Sequence, residues 1–342
     1  MRYRVTGCVL MLLLAAGCRK DMVVPVNVSD SRSLPVMNGY VAHIKGDNDT
    51  MVEIQVSRSA GVSQNVSPVM VSDAVVRLTN QDGFATQLAF DAGRSSYIPN
   101  RAIATPQHIS YTTQAKLGSG EEIDAADVMP GEVGFSELAF TGVYKEFQFN
   151  FQQTSGGIAT VGCAEVKVVF NDPVQERNYY HLYLATSMQV VKSAFKYGPY
   201  GDGDPDSWAF EVPYFTFDPA VLKEQPAGYD ILGSENSANN ISPRDIMLTD
   251  ETFNGQQKTL LLYVPVYLLT EMDSVNGGIK PLTLYGSLHN ISKGSYDYYK
   301  TYQIYRHNRD NPFAEPTIVY SNVRNGLGFV GCRSIALDSV KH

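Results

Sequence analysis

Few residues in this chain combine a reactive type with a telling spacing, and Cys18 stands first among them. It closes the run Leu12-Leu-Leu-Ala-Ala-Gly-Cys18, behind a basic head of Arg2 and Arg4 and an uninterrupted apolar stretch from Val9 to Ala16. A basic head, an apolar segment and a small residue before the cut are what secretory processing requires. A cysteine directly after the cut matches the bacterial lipobox, with Ala15 where Leu or Val is usual. The chemistry implied is acylation: the Cys18 thiol receives a diacylglycerol and becomes the first residue of the mature chain. Each buried methylene contributes ~0.8 kcal/mol, so one palmitate-like chain holds marginally and two or three hold stably.

The other reactive constellations are weaker. Gly286-Ser-Leu-His289 puts a serine and a histidine close together, but two residues apart ahead of a helix is not the geometry of a nucleophile and its base. Asp202-Gly-Asp-Pro-Asp206 alternates acids as a calcium loop does, yet Pro205 stiffens it and Pro213 stands where the twelfth-position Glu belongs. It therefore weighs toward a solvated acidic loop, and Asp47-Asn-Asp49 toward a turn. Asn325-Gly-Leu-Gly328 lacks the strand-to-helix setting of a phosphate loop and is expected to be a turn. No zinc-protease, Cys-x-x-Cys, phosphate-loop or Gly-x-Ser-x-Gly signature occurs. No catalytic, cofactor or metal residue is therefore assigned, and the chain is expected not to be an enzyme. The aromatics Tyr197, Tyr200, Trp208 and Tyr214 suit either stacking on a ligand or anchoring of buried loops. The stripe of Tyr298, Tyr302 and Tyr305 reads first as core.

Cys8 leaves with the signal and Cys18 is acylated, so the mature chain keeps Cys163 and Cys332. In an exported protein this even pair is a candidate disulfide, and two buried free thiols are the equal alternative.

Composition narrows the partners. The chain has 27 basic and 35 acidic residues, and loss of Arg2 and Arg4 brings the net charge from −8 to about −10. Such an excess of acid argues against nucleic acid and against electrostatic adhesion to anionic headgroups, leaving the lipid as the anchor. An apolar fraction of 44%, with 21 Tyr and 15 Phe, is ample for real cores and favours strands.

The elements that must position these residues are mostly β. Alternation marks strands at Met51–Ser57, Val69–Val71, Ala74–Thr79, Phe84–Phe90, Ser96–Ile98 and Ile109–Leu117, with turns at Asn80–Gly83 and Asp91–Arg94. Further strands are expected at Val133–Val143, Phe147–Phe151, Ala164–Phe170, Tyr179–Ala185 and Leu260–Leu268. The window 196–256 is expected to be long irregular loops, and 290–307 is the one amphipathic helix. The expected organisation is a signal over 1–17, a flexible tether over 18–36, an immunoglobulin- or transthyretin-like β-sandwich over 37–130, and a larger β-rich domain over 131–342. Met129-Pro130-Gly131 marks the boundary.

The run Asn311-Pro-Phe-Ala-Glu-Pro-Thr-Ile-Val-Tyr-Ser-Asn-Val-Arg-Asn-Gly-Leu-Gly-Phe329 strongly resembles the closing motif of a Bacteroidota lipoprotein family, domain of unknown function 4249. The Tyr-rich stretch Tyr296–Tyr305 matches in placement. Val71–Thr79, Asp82-Gly83, Gly93 and Tyr97 resemble that family's first domain. Val330-Gly-Cys332 departs from the motif, so Cys332 inherits no family role. The resemblance implies an outer-membrane lipoprotein, outward-facing rather than periplasmic, acting as a non-catalytic accessory to a TonB-dependent transporter and taking a nutrient, small molecule or glycan. Two alternatives remain at this level. One is a fimbrial subunit, with Arg58 and Arg94 as candidate cut sites. The other is a surface glycan hydrolase needing two facing carboxylates.

Overall fold

The computed structural model describes residues 33–46, 50–59, 69–150, 158–174, 176–186, 210–212, 214–224, 246–272, 278–308, 315 and 317–342. The first half is a run of short antiparallel strands: β1 (Pro35–Ile44), β2 (Thr50–Arg58), β3 (Val69–Met70), β4 (Val75–Asn80), β5 (Ala85–Asp91), β6 (Ser96–Pro99), β7 (Ser110–Lys116) and β8 (Glu122–Val128). The expected turns lie between them. Asn80 Oδ1 accepts the N–H groups of Asp82 and Phe84, and Asp91 Oδ1 accepts those of Gly93 and Arg94. Short Asx side chains pin turns in this way.

The second half has longer strands. They are β9 (Phe135–Asn150), β10 (Ile158–Asn171), β11 (Tyr179–Thr186), β12 (Phe210–Glu211), β13 (Ile246–Thr249), β14 (Gln257–Pro265), β15 (Thr270–Met272), β16 (Ile279–Pro281), β17 (Thr283–Ile291), β18 (Val323–Arg324) and β19 (Val330–Lys341). A short helix α1 (Pro219–Leu222) and the main helix α2 (Lys293–Asn308) complete the set. The protein is mostly β with one main helix near its C-terminus, as the composition suggests.

Several boundaries differ from expectation. The two strands expected at 133–143 and 147–151 are one, β9, which turns at Gly142 (φ 78°) while its partner β10 shifts register between Ala164 and Val166. Pro265 ends β14, so residues 266–268 form a 3-10 turn rather than more strand. The window 196–256 holds β12, α1, β13 and a 3-10 turn at 250–252 among its described residues, not loop alone. Helix α2 starts three residues late because Asn290 and Ile291 remain in β17. The Ser292 hydroxyl then accepts the Ser295 N–H at 3.0 Å, an N-cap contact.

One hydrogen-bonded sheet of 14 strands runs through both halves, in the order β12-β11-β17-β19-β1-β2-β6-β5-β4-β7-β8-β18, with β13 on β11 and β3 on β2. The sequence boundary at 129–131 is therefore not a boundary in pairing: β1 lies parallel to β19 from Gly39↔Val330 to Ile44↔Ile335. Two large cores flank that seam. One lies between strands β11, β17 and β19 and a second sheet, β14-β10-β9, and contains Tyr180, Leu182, Leu288, Val166 and Leu262. The other gathers Ile54, Leu78, Tyr97, Tyr111 and Ile123 from the first half with Val323, Val330 and Cys332 from the C-terminus.

Residues 323–330 act as a strap. Val323 and Arg324 pair with Ala125 and Asp124 of β8, and three residues later Leu327 exchanges backbone hydrogen bonds with Pro35 and Met37 of β1. The strap thus ties the two ends of the first-half strands together, occupying edges that would otherwise be open. Its glycines are required by closeness. A Cβ on Gly326 would lie 2.8 Å from the Pro35 carbonyl oxygen, and Asn325 takes a positive φ of 58° that Asn tolerates best among non-glycine residues.

Candidate functional site

The sheet face turned away from the second sheet carries an unusual set of polar and aromatic side chains. Strand alternation places Tyr179, His181 and Tyr183 of β11, Ser287 and His289 of β17, and Arg333 of β19 on this face, because their neighbours Tyr180, Leu182, Leu288 and Ala336 point into the core. On β1 the same face holds Tyr40, Ala42 and Ile44. The N-terminal half of α2 lies over it. Gly331 permits that approach, since a Cβ there would meet the Ser295 hydroxyl at 2.4 Å.

Within this face the hydrogen bonds are short and buried. The Tyr183 hydroxyl lies 2.7 Å from His181 Nδ1, and the Ser287 hydroxyl lies 2.7 Å from His289 Nε2. Serine and histidine two apart are on one side of a strand, so the spacing that looked unproductive ahead of a helix brings them into contact. The pair still lacks the third member of a triad: His289 Nδ1 has no hydrogen-bond partner. Burial, followed by the charges of Arg333 and His181, holds the His289 imidazole well below its usual pKa, so it is neutral and a weak base. The Tyr299 ring, from α2, covers His181 at 5.0 Å between centroids.

Arg333 is the most notable member. Only 7% of its surface is exposed, and its guanidinium carbon sits 3.9 Å from the centre of the Tyr40 ring, a cation–π contact. It makes no ion pair among the described residues. Sequence reasoning missed it, although a lone arginine inside Val330-Gly-Cys-Arg-Ser-Ile-Ala336 was a visible anomaly in an otherwise small and apolar strand.

A second polar cluster joins β19, the N-cap of α2 and β8. The buried Asp127 carboxylate accepts the Cys332 N–H at 2.7 Å, its own neighbour Val128 N–H at 2.9 Å, and the Ser292 hydroxyl. Desolvation dominates these stabilising bonds and pushes its pKa up to about 6. Helix α2 is also tied to the residues that follow α1, because Tyr296 and Lys300 both reach Glu224.

The other expected residues fall as follows. Cys163 and Cys332 are free and buried, and they occupy different clusters. Cys163 packs against Phe215 and Tyr263 on β10's outer side, whereas Cys332 lies in the first-half core. The disulfide alternative is thus replaced by two free thiols, each kept protonated by burial; desolvation raises the Cys163 pKa to about 11 and pushes that of Cys332 well above the usual thiol range. Tyr214 is a buried anchor whose hydroxyl donates to the Leu182 carbonyl. Cys18, Asp47–Asp49, Tyr197, Tyr200, Asp202–Asp206 and Trp208 lie outside the described residues.

The tyrosine stripe is not core. Tyr298 stacks on Phe329 at 4.8 Å and 9°, Tyr302 on Tyr298 at 5.9 Å and 3°, and Tyr305 on Tyr302 at 6.3 Å and 22°. The ladder runs outward from the strap: Tyr302 is 39% and Tyr305 43% exposed, and Ile318 beside the strap is 89% exposed. Stacking at i, i+4 and i, i+3 spacing explains why the pattern looks like a buried stripe in sequence. No group of three or more His, Cys, Asp or Glu residues that could hold a metal ion occurs among the described residues.

Fold and site together define a mostly β protein in which one continuous sheet serves two cores and a C-terminal strap closes the first. The family described as domain of unknown function DUF4249 matches residues 23–336, and the chain belongs to it. No curated protein matches the chain. Among the described residues, no helix is long and apolar enough to cross a membrane.

Proposed function

We propose that this chain is a lipid-anchored outer-membrane binding protein of Bacteroidota type, held by acylated Cys18 and acting as a non-catalytic accessory to a TonB-dependent nutrient transporter. The observation that carries this reading is the ladder of Tyr298, Tyr302 and Tyr305, a row of stacked rings that starts on Phe329 of the strap and becomes exposed at Tyr302 and Tyr305. Tyrosines offer large contact area at low entropic cost and concentrate at binding hot spots. The lipobox ahead of Cys18 supplies the anchor, and confinement to a surface raises the effective concentration of the ladder beside a membrane partner.

A fimbrial role requires a first strand that can be removed. Here β1 pairs with β2 on one side and β19 on the other, so its loss would divide the 14-stranded sheet. A hydrolytic role requires facing carboxylates free to react. The buried Asp172 and Asp250 instead accept the backbone N–H groups of Gly255 and Asn178.

The test is a photo-crosslinking amino acid placed at Tyr302 in intact outer membranes. The expected result is one discrete adduct containing a β-barrel transporter. Recovery of uncrosslinked chain alone, or of adducts with no transporter, would overturn the accessory role.

A further inference from the structure

The face beneath α2 contains two hydrogen-bonding groups that the fold itself leaves unserved. Arg333 Nε and His289 Nδ1 are both buried and neither has a hydrogen-bond partner. They stand on adjacent strands of one sheet face. His289 pairs with Ile335, two residues along β19 from Arg333, and the Arg333 charge acts directly on the imidazole. Diagonal neighbours at this register sit within reach of one small ligand.

The charges around the pair are committed elsewhere. Glu53, on β2, accepts the hydroxyl of Tyr40 at 3.2 Å. Asp127 is engaged by Ser292, Cys332 and Val128. His181, across from His289, is bonded to Tyr183. A guanidinium cannot shed its proton, so Arg333 carries a full buried charge that no carboxylate of the described chain offsets. Leaving such a charge uncompensated is expensive, and a planar guanidinium fork is matched in shape by a carboxylate.

The site uses the His289 tautomer in which the Ser287 hydroxyl donates to Nε2 and the proton of the neutral ring resides on Nδ1. Arg333 Nε–H and His289 Nδ1–H are then two donors lacking an acceptor. One positive charge beside a neutral imidazole suits a singly charged anion; a phosphate dianion would leave a net negative charge in the same buried place. We propose that Arg333 and His289 form a binding site for a small organic carboxylate, which accepts from both donors and neutralises Arg333. This site goes beyond the anchoring and transporter reading and does not depend on it.

The experiment measures thermal unfolding and calorimetric binding of the full chain in detergent, with sodium acetate and sodium propionate against sodium chloride and sodium phosphate at equal ionic strength. A saturable rise in Tm with the carboxylates, absent with chloride and weaker with phosphate, is expected. Arg333→Met should abolish the response, yet without carboxylate it should be no less stable than the parent, since it removes an uncompensated charge. Arg333→Lys keeps the charge without the fork, and His289→Phe removes one donor; each should weaken carboxylate binding at least tenfold. Equal responses to carboxylate and chloride, a phosphate response as strong as that to acetate, or an undiminished response in Arg333→Lys would each overturn the proposal.

Discussion

A Cβ placed on Gly328 would stand 2.2 Å from the carbonyl oxygen of Met37, with Gly328 itself at a φ of 108°. The strap therefore crosses β1 at a distance only a hydrogen atom allows, and in a conformation L side chains rarely adopt. Gly328→Ala should destabilise by more than ~2 kcal/mol. Gly120 provides the comparison. Its φ is 90° but nothing lies within 4 Å of the added atom, so Gly120→Ala carries strain alone, about 1 kcal/mol. Urea midpoints of the two variants measure the difference. Equal losses would mean that the strap is not held against β1.

Asp127 gives stability a distinct pH dependence. Its folded pKa is about 6 against 3.8 for the free group, so between these values the native chain holds a proton that the unfolded chain has lost. Stability from this group is present at low pH and falls as pH rises through that window, by about 3 kcal/mol in full. The Asp127→Asn variant should lose this dependence. Unfolding of parent and variant compared at pH 4 and pH 7 should therefore show the parent declining relative to the variant. A parent that gains stability relative to Asp127→Asn over that range would contradict the assignment.

The two thiols should be silent until the fold opens. With Cys163 and Cys332 buried, protonated and in separate clusters, a thiol reagent should label none in the native mature chain. Two should label in denaturant without any reductant. Zero labelling under those conditions would show a disulfide and contradict the structure.

Much of the strand framework was legible because alternation and Asx or Gly turns are local. Val52, Ile54 and Val56 announced β2, and Asn80 with Gly83 announced the hairpin that follows β4. What stayed hidden is long-range. Nothing near Val330 in sequence says that β19 runs parallel to β1 from the far end of the chain, so one sheet spans two apparent domains. The fused β9 was unreadable because its interruption is a bulge at Gly142, which looks like a turn in a single strand's sequence. The candidate site fared similarly. Ser287 and His289 stand two apart in sequence, and only the strand, which their position ahead of a helix does not announce, puts them in contact on one face. Arg333 and Asp127 acquire their roles only from partners on other strands. The ladder of Tyr298, Tyr302 and Tyr305 was seen, but periodicity alone cannot tell an exposed stack from a core stripe.

The outer rungs of that ladder should matter little for folding. Tyr302→Ala removes a half-exposed ring stacked on both Tyr298 and Tyr305, and Tyr305→Ala one stacked on Tyr302 alone, each at a cost of about 1 kcal/mol. The double variant should nevertheless lose most transporter recovery when chemically crosslinked membranes are purified through the anchored chain. Full recovery from a folded double variant would remove the ladder from the binding surface.

Membrane attachment of the proposed kind requires an acyl chain on Cys18. Cells expressing the full chain should be fed an alkyne-bearing palmitate analogue, and the purified protein examined for the tag. The expected result is a labelled, membrane-associated protein and an unlabelled Cys18→Ser variant. A parent chain that carries no acyl label and is recovered free of the membrane fraction would contradict the account.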